Sequence, residues 1–209
     1  MNARTQFLAA LLLVAAPPLR AQGFVVGLSA GSVQIHDGTS ANRFTGPGFG
    51  ATAEWTHGRL GVQAEIMRSR LTPADTGRSA LTALQFDARA SYRIRQGLEA
   101  EVGFGRRSIS PEFATQDVGV VRIGIRSEGR LGGLAGAWAR GALLPVVRFN
   151  GGGSSGTALE VGFGTWVSLA RGRVRVQLDY GLQRVDRTVV GAALPLQCST
   201  TKIGAALRL

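Results

Sequence analysis

The two histidines limit the catalytic chemistry that this sequence supports. His36, followed by Asp37, and His57 are the only histidines among 209 residues. The alternating pattern described below places His36 at the outer end of the first strand and His57 at a short turn on the opposite rim. They therefore do not share a site, and no serine–histidine–acid arrangement can be read from the sequence. An enzyme with His36 as a base at the outer rim ranks last among the functions considered.

Other motifs of catalysis or metal binding are also incomplete. Cys198 is the only cysteine, which excludes an internal disulfide, and one cysteine with two separated histidines makes no metal cluster. The segment "GPGFG" at 46–50 resembles a phosphate-binding loop, but it lacks the Lys-Ser/Thr partner and begins a strand instead of a helix. We expect no catalytic residue, metal or cofactor.

The remaining chemistry lies in charged side chains that recur at alternate positions of short segments. If these face the interior of a narrow barrel, they must pair, because an unpaired buried charge is costly. The sequence thus predicts an ion-paired, closed lumen, and the alternative is a narrow channel lined by the same arginines. The set comprises Glu54, Glu65, Asp87, Arg89, Glu99, Glu101, Arg122, Arg140, Glu160, Arg175 and Asp179, with Arg107, Arg126, Arg148, Lys202 and Arg208 on the same parity.

Period-two alternation is the main structural signal. In "VRVQLDYGLQ" (174–183), the even-numbered residues are uncharged and the odd-numbered ones are polar or glycine, as expected of a strand with two unlike faces. Ten such segments follow the first 23 residues. Short turns near 58–59, 95–97, 127–129 and 171–173 alternate with longer polar stretches at 37–46, 72–80, 110–117, 150–156 and 187–199. This predicts an all-β, closed, antiparallel up-and-down transmembrane barrel.

The strand count depends on the segment 118–149. Pro145 interrupts it, and proline is tolerated only near a strand's end or at an irregularity. We expect ten strands, or eight if 118–149 forms one bent element. The motif "EVGFG" occurs at 101–105 and again at 160–164, which indicates either duplication or similar demands on similar strands.

The N-terminus predicts export. A cation at Arg4, an apolar run too short to span a bilayer and Ala21 before Gln22 are typical of a secretory signal peptide. We expect cleavage after Ala21, which gives a signal peptide at 1–21 and one barrel domain at 22–209. The net charge is +11, and an exported protein seldom meets nucleic acid, so an anionic membrane surface is the better partner.

A soluble lipocalin-like barrel also alternates, with its apolar face inward. Strands of about ten residues, a polar face rich in small residues and aromatics near strand ends favour lipid outside instead. The expected outward aromatics are Phe24, Trp55 and Tyr92 at the short-turn end, and Phe49 and Phe149 at the loop end.

The chain ends inside a strand, "KIGAALRL", with apolar residues at Leu207 and Leu209. This resembles the C-terminal signal through which the barrel-assembly machinery recognises bacterial outer-membrane barrels, although the last residue is not aromatic. The mature chain looks like the small outer-membrane β-barrel proteins, the OmpA-barrel, OmpX and OmpW-like group. The resemblance implies a bacterial outer-membrane location, lipid partners and a structural or interaction role without catalysis. A narrow porin-like channel for small solutes is the alternative, and oligomeric state is left open.

Arginines also recur on the lipid-facing parity where strands leave the apolar band. They are Arg70, Arg106 and Arg184, with Arg68 and Arg78 nearby. Guanidinium groups pair well with phosphates, so we expect this belt to bind lipopolysaccharide phosphates. The alternative is ordinary snorkelling of long side chains to the membrane interface.

Overall fold

The computed structural model describes residues 23–38, 43–75, 77, 79–111 and 117–209. The signal peptide expected at 1–21 lies outside them. In these ranges, the chain forms ten long strands and one two-residue strand, with a 3-10 turn at Ala170–Gly172. The strands are β1 (Phe24–Asp37), β2 (Arg43–His57), β3 (Leu60–Pro73), β4 (Leu81–Arg95), β5 (Leu98–Ser110), β6 (Val118–Arg130), β7 (Ala135–Phe149), β8 (Ser154–Leu169), β9 (Val174–Val189), β10 (Ala192–Ala193) and β11 (Leu196–Arg208).

The long strands close into one barrel. Each pairs antiparallel with its neighbour along the chain, and β11 pairs with both β9 and β1, so that no long strand is left at an edge. The short β10 extends β9 within the connection to β11. The predicted ten-stranded, antiparallel, up-and-down barrel is confirmed. Within the described residues, no helix is long and apolar enough to cross a bilayer.

One predicted turn is misplaced. Strand β6 continues through the "SEG" segment at 127–129, and the chain reverses at 131–134 instead. Gly132 takes a positive φ of 111° there, which only glycine adopts easily, and the amide of Leu131 donates to the carbonyl of Ala135 at 2.9 Å. The segment 118–149 is therefore two strands, and the eight-strand alternative is wrong.

The two faces of the barrel differ as the alternation predicts. Large apolar side chains point outward and are exposed, among them Leu28 at 73%, Phe49 at 68% and Ile203 at 58%. Charged side chains of the opposite parity are buried inside, with Asp87 at 6% and Arg122 at 3%. An apolar outer surface on every long strand is what lipid contact requires and what a soluble barrel avoids.

A bulge at Pro145 changes which residues face inward at the end of β7. Val121 pairs with Val146 and Ile123 with Leu143, so Arg122 faces two residues of β7 instead of one. Because of the extra residue, side chains after Pro145 face the side of the sheet opposite to the one that strict alternation gives. Two expectations are wrong for this reason: Arg148 is exposed outside the barrel, and Phe149 packs inside against the core.

At the loop end, the chemistry of the two faces inverts. Most inward side chains there are apolar and almost fully buried, and the outward ones are polar, as Met67 and Leu71 against Arg68 and Arg70 illustrate. Ser69, Arg107 and Arg187 are also buried on the inward face at this end. The apolar inward set, here called the apolar plug, was not predicted from the sequence. It comprises Val33, Ile35, Phe44, Met67, Leu71, Leu81, Ala83, Ile109, Val118, Val120, Leu144, Ala158, Val185, Leu196 and Cys198.

Candidate functional site

The middle of the lumen is crossed by ion pairs between strands that are not neighbours. We call this set the central ion-pair layer, and it comprises Glu65, Asp87, Arg89, Glu101, Arg122, Arg140, Glu160, Asp179 and Lys202. Its core is a chain of four groups. Arg122 lies between Asp87, with Nη1 to Oδ1 at 2.5 Å, and Glu160, with Nε to Oε2 at 3.4 Å. Arg89 then binds the other oxygen of Glu160 at 2.6 Å. This chain joins β4, β6 and β8.

Two further ion pairs connect other strands of the barrel. Arg140 of β7 holds Glu101 of β5 through two nitrogens, with Nε to Oε2 at 2.6 Å and Nη2 to Oε1 at 3.1 Å. Lys202 of β11 forms an ion pair with Glu65 of β3. Two-point arginine contacts fix geometry as well as charge. Four of the five carboxylates of the layer are thus paired with a cation, and the fifth, Asp179, accepts hydrogen bonds from Trp138 and Gln177.

Trp138 fills the space beside these pairs. The guanidinium groups of Arg126 and Arg140 each lie 5.3 Å from its ring centroid, and its indole nitrogen donates to Asp179 at 3.0 Å. The ring packs on Gly162 and Gly164 of β8, where an added Cβ would lie 3.3 Å and 2.7 Å from the nearest Trp138 atoms. Only glycine at these positions lets so large a side chain lie inside the barrel.

The short-turn end of the lumen is an open cavity of about 1000 Å³, here called the vestibule. Five predicted lumen residues line it: Glu54, Glu99 and Arg175, with Arg89 and Glu101 of the central ion-pair layer at its deep end. Arg175 binds Glu128 at 2.8 Å and stacks 4.3 Å above the ring centroid of Trp166. The predicted lumen residues other than Glu54, Glu99 and Arg175 lie in the central ion-pair layer, so all eleven face the interior.

The expected headgroup residues lie outside the barrel at the level of the apolar plug. Arg68, Arg70, Arg106 and Arg184 are exposed there, and Arg184 forms an ion pair with Asp186 at 3.2 Å. Arg78 lies outside the described residues. Arg148, turned outward by the bulge, adds to this set, because Gly119 pairs with Arg106 on one side and with Arg148 on the other. We call Arg68, Arg70, Arg106, Arg148 and Arg184 the arginine belt.

The two histidines lie at opposite ends of the barrel, as the strand pattern predicts. His36 pairs with Arg43 and Gln197 at the loop end, and His57 pairs with Leu60 beside a short turn. Cys198 is buried in the apolar plug. No group of three or more potential metal ligands occurs in the part of the chain that the structure describes.

Known proteins resemble this chain in structure and not in sequence. The sequence matches no protein-family model and no curated protein. The outer membrane protease OmpT from Escherichia coli aligns with 93% of this chain and 99% of its own, at 10% identity and a TM-score of 0.59. The translocator domain of the autotransporter NalP from Neisseria meningitidis aligns with 99% of this chain and 96% of its own, at 13% identity and a TM-score of 0.51. With its closed ten-stranded sheet, the chain has the fold of the bacterial outer-membrane β-barrel proteins.

Proposed function

We propose that this protein is a bacterial outer-membrane barrel with a structural or interaction role and a lumen closed to solutes. The apolar plug above the central ion-pair layer is the observation that carries the proposal. Phe44 and Leu71 in the plug are 1% and 0% exposed, so their packing leaves no room for a solute at that level. An ion would also lose its hydration there, because most side chains at that level are apolar.

The central ion-pair layer supports the same conclusion. Asp87, Glu101 and Arg122 are all less than 9% exposed, and each binds an opposite charge. A conducting pore needs side chains that bind an ion weakly and release it. Charges that hold each other at 2.5 to 2.6 Å offer a passing ion no such site.

Planar-bilayer recording of the purified barrel tests the closed lumen. We expect no discrete conductance steps from the wild-type protein, and none from a Glu101→Gln variant, which instead loses stability because Arg140 loses its partner. Discrete steps in the wild type, with an ion selectivity that changes in Glu101→Gln or Arg140→Gln, would establish the narrow channel instead. Lipid A or peptide turnover that disappears in a His36→Ala variant would establish the enzyme.

The arginine belt favours a second role, contact with lipopolysaccharide phosphates. The belt lies where the outer face changes from apolar to polar, which is the level at which a barrel leaves the hydrocarbon layer and meets lipid headgroups. Arg106 and Arg148 flank Gly119, so about 10 Å separates their backbones across two strand spacings. No side chain fills the gap between them, which leaves room for a phosphate.

Co-purification of lipopolysaccharide tests this role. An Arg70→Gln/Arg106→Gln/Arg184→Gln variant is expected to retain several-fold less lipopolysaccharide than the wild type, because charge-assisted contacts to phosphate are lost. The matched control is Arg130→Gln/Arg173→Gln/Arg208→Gln, which removes the same charge from the opposite end of the barrel. Equal retention by all three proteins would show that the belt arginines only snorkel to the interface.

A further inference from the structure

The vestibule holds more cations than its own acidic residues neutralise. Eight arginines and four glutamates line it: Arg59, Arg89, Arg93, Arg126, Arg130, Arg173, Arg175 and Arg208, with Glu54, Glu99, Glu101 and Glu128. Glu128 is shared by Arg126 and Arg175, Glu99 binds Arg93 at 3.6 Å, and Glu101 is held by Arg140. Glu54 forms no ion pair with another described residue. Three of the four glutamates are thus already paired with an arginine.

Three arginines at the mouth make neither an ion pair nor a side-chain hydrogen bond within the described ranges: Arg130, Arg173 and Arg208. A fourth, Arg59, makes no ion pair and donates only to the Tyr92 hydroxyl, at 3.5 Å. Arg130 and Arg208 occupy inward positions at the short-turn ends of β6 and β11. Arg173 precedes β9, and its carbonyl accepts the amide of Arg208 at 2.8 Å, so these two residues are adjacent. Ser168 and Arg175, which pair with each other across β8 and β9, lie on the same side of the mouth. One sector of the mouth is therefore strongly cationic.

The cavity behind this sector has the size of a small-molecule site. Its volume of about 1000 Å³ is at the upper end of the range for ligand pockets. Arg89 and Glu101 line its deep end and belong to the central ion-pair layer, beyond which the apolar plug closes the barrel. A charged cleft with low-dielectric walls focuses the electric field and raises the local concentration of the opposite charge.

We propose that the vestibule binds a small molecule with several phosphate or carboxylate groups, which enters from the short-turn end. Arginine forks match both oxyanions with two parallel hydrogen bonds, and Arg130, Arg173 and Arg208 have those donors free. Without an anion, neighbouring guanidinium groups at the mouth repel each other. Bound phosphates or carboxylates remove that repulsion and use donors that no described side chain occupies. The proposal does not depend on whether the lumen conducts.

Titration calorimetry of the purified, folded barrel with tripolyphosphate and with tricarballylate tests the proposal. We expect saturable binding of at least one probe, weakened about tenfold or more in an Arg130→Gln/Arg173→Gln/Arg208→Gln variant, since two or three charge-assisted contacts are removed. The Arg70→Gln/Arg106→Gln/Arg184→Gln variant removes equal charge from the outer face and with it any phosphate bound at the arginine belt. The site that remains in this variant is expected to keep an affinity within twofold of that in the wild type. If the vestibule triple variant does not fold, each single substitution is expected to weaken binding measurably.

The two probes separate the possible ligand classes. Binding of tripolyphosphate alone would assign the vestibule to phosphorylated ligands, binding of tricarballylate alone would assign it to polycarboxylates, and binding of both would leave the general oxyanion site in place. Absence of saturable binding for both probes would overturn the proposal. Binding that survives the vestibule variants and disappears in the outer-face variant would overturn it as well, because the anion would then bind the arginine belt.

Discussion

Buried charges in the lumen of this barrel are stabilised by opposite charges on strands that are not their neighbours. Glu160 is the clearest case, since one carboxylate binds both Arg89 and Arg122, and it is 9% exposed. A Glu160→Gln variant is expected to lose about 3 kcal/mol of unfolding free energy, the lower end of the cost of breaking a buried ion pair. Urea unfolding of the barrel in lipid vesicles measures this loss.

Glu99→Gln is the matched control for that substitution. Glu99 lies 3.6 Å from Arg93, whose side chain is 48% exposed, and exposed pairs contribute about 1 kcal/mol or less. Equal destabilisation by the two substitutions would contradict the distinction between the central ion-pair layer and the vestibule.

Glycines beside large inward side chains are also required for packing inside the barrel. An alanine Cβ at Gly164 would lie 2.4 Å from Asp179 Oδ1 and 2.7 Å from Trp138 Nε1, whereas one at Gly181, on the facing strand, would meet nothing within 4 Å. Gly164→Ala is expected to cost about 1–3 kcal/mol by overpacking, and Gly181→Ala about 0.5 kcal/mol or less. The same unfolding assay compares them, and a larger loss at Gly181 would be inconsistent with this packing.

Similar demands explain the repeated "EVGFG" motif without requiring duplication. In both copies, the glutamate faces inward and binds arginine: Glu101 binds Arg140, and Glu160 binds Arg89. The glycines that follow leave room for large inward groups. At Gly105, an added Cβ would lie 2.4 Å from Arg122 and 2.5 Å from Asp87. Parity in the sequence identified these inward residues, but it did not identify which charges pair, because partners such as Arg89 and Glu160 are 71 residues apart.

At the scale of elements, one irregular strand decides where several side chains point. The bulge at Pro145 places Leu144 inside and Arg148 outside, although strict alternation gives both the same face. In a Cys198→Ser background, Arg148→Cys is expected to react quickly with a membrane-impermeant charged maleimide, and Leu144→Cys is expected to react only after unfolding. Slow labelling at position 148 with rapid labelling at 144 would mean that β7 keeps its regular register.

Sequence reasoning located most strands because their inward and outward residues differ in polarity over ten or more positions. It misplaced the β6–β7 turn because "SEG" and "LGGL" both offer small and polar residues, and the reversal depends on the positive φ of Gly132. The extra residue at Pro145 could not be predicted either, because a bulge is recognised only from the pairing of β7 with β6.

The C-terminal strand β11 pairs with β1 to close the barrel, and we propose that it is the segment that the assembly machinery recognises.

The whole molecule is organised by the inversion of its two faces along the barrel axis. Through the membrane, apolar residues point outward and charges inward; at the loop end, the apolar plug is inside and the arginine belt outside. Water on the outside requires apolar side chains inside, so the inversion marks the level at which the barrel leaves lipid. A signal for it exists in the sequence, because Val118 and Val120 occupy positions where strict polar-inward alternation requires polar residues.

The central claim is that the lumen opens at the short-turn end and is closed at the loop end. Thiol reactivity tests it directly, because the natural Cys198 lies in the apolar plug at 5% exposure, and Ser91 lines the vestibule. A small charged thiol reagent is expected to modify a Ser91→Cys/Cys198→Ser variant rapidly. It is expected to leave Cys198 of the folded wild type unmodified until the barrel is unfolded. Modification of Cys198 in the folded barrel at the rate seen for Ser91→Cys would contradict the claim, because the reagent would then pass through the plug.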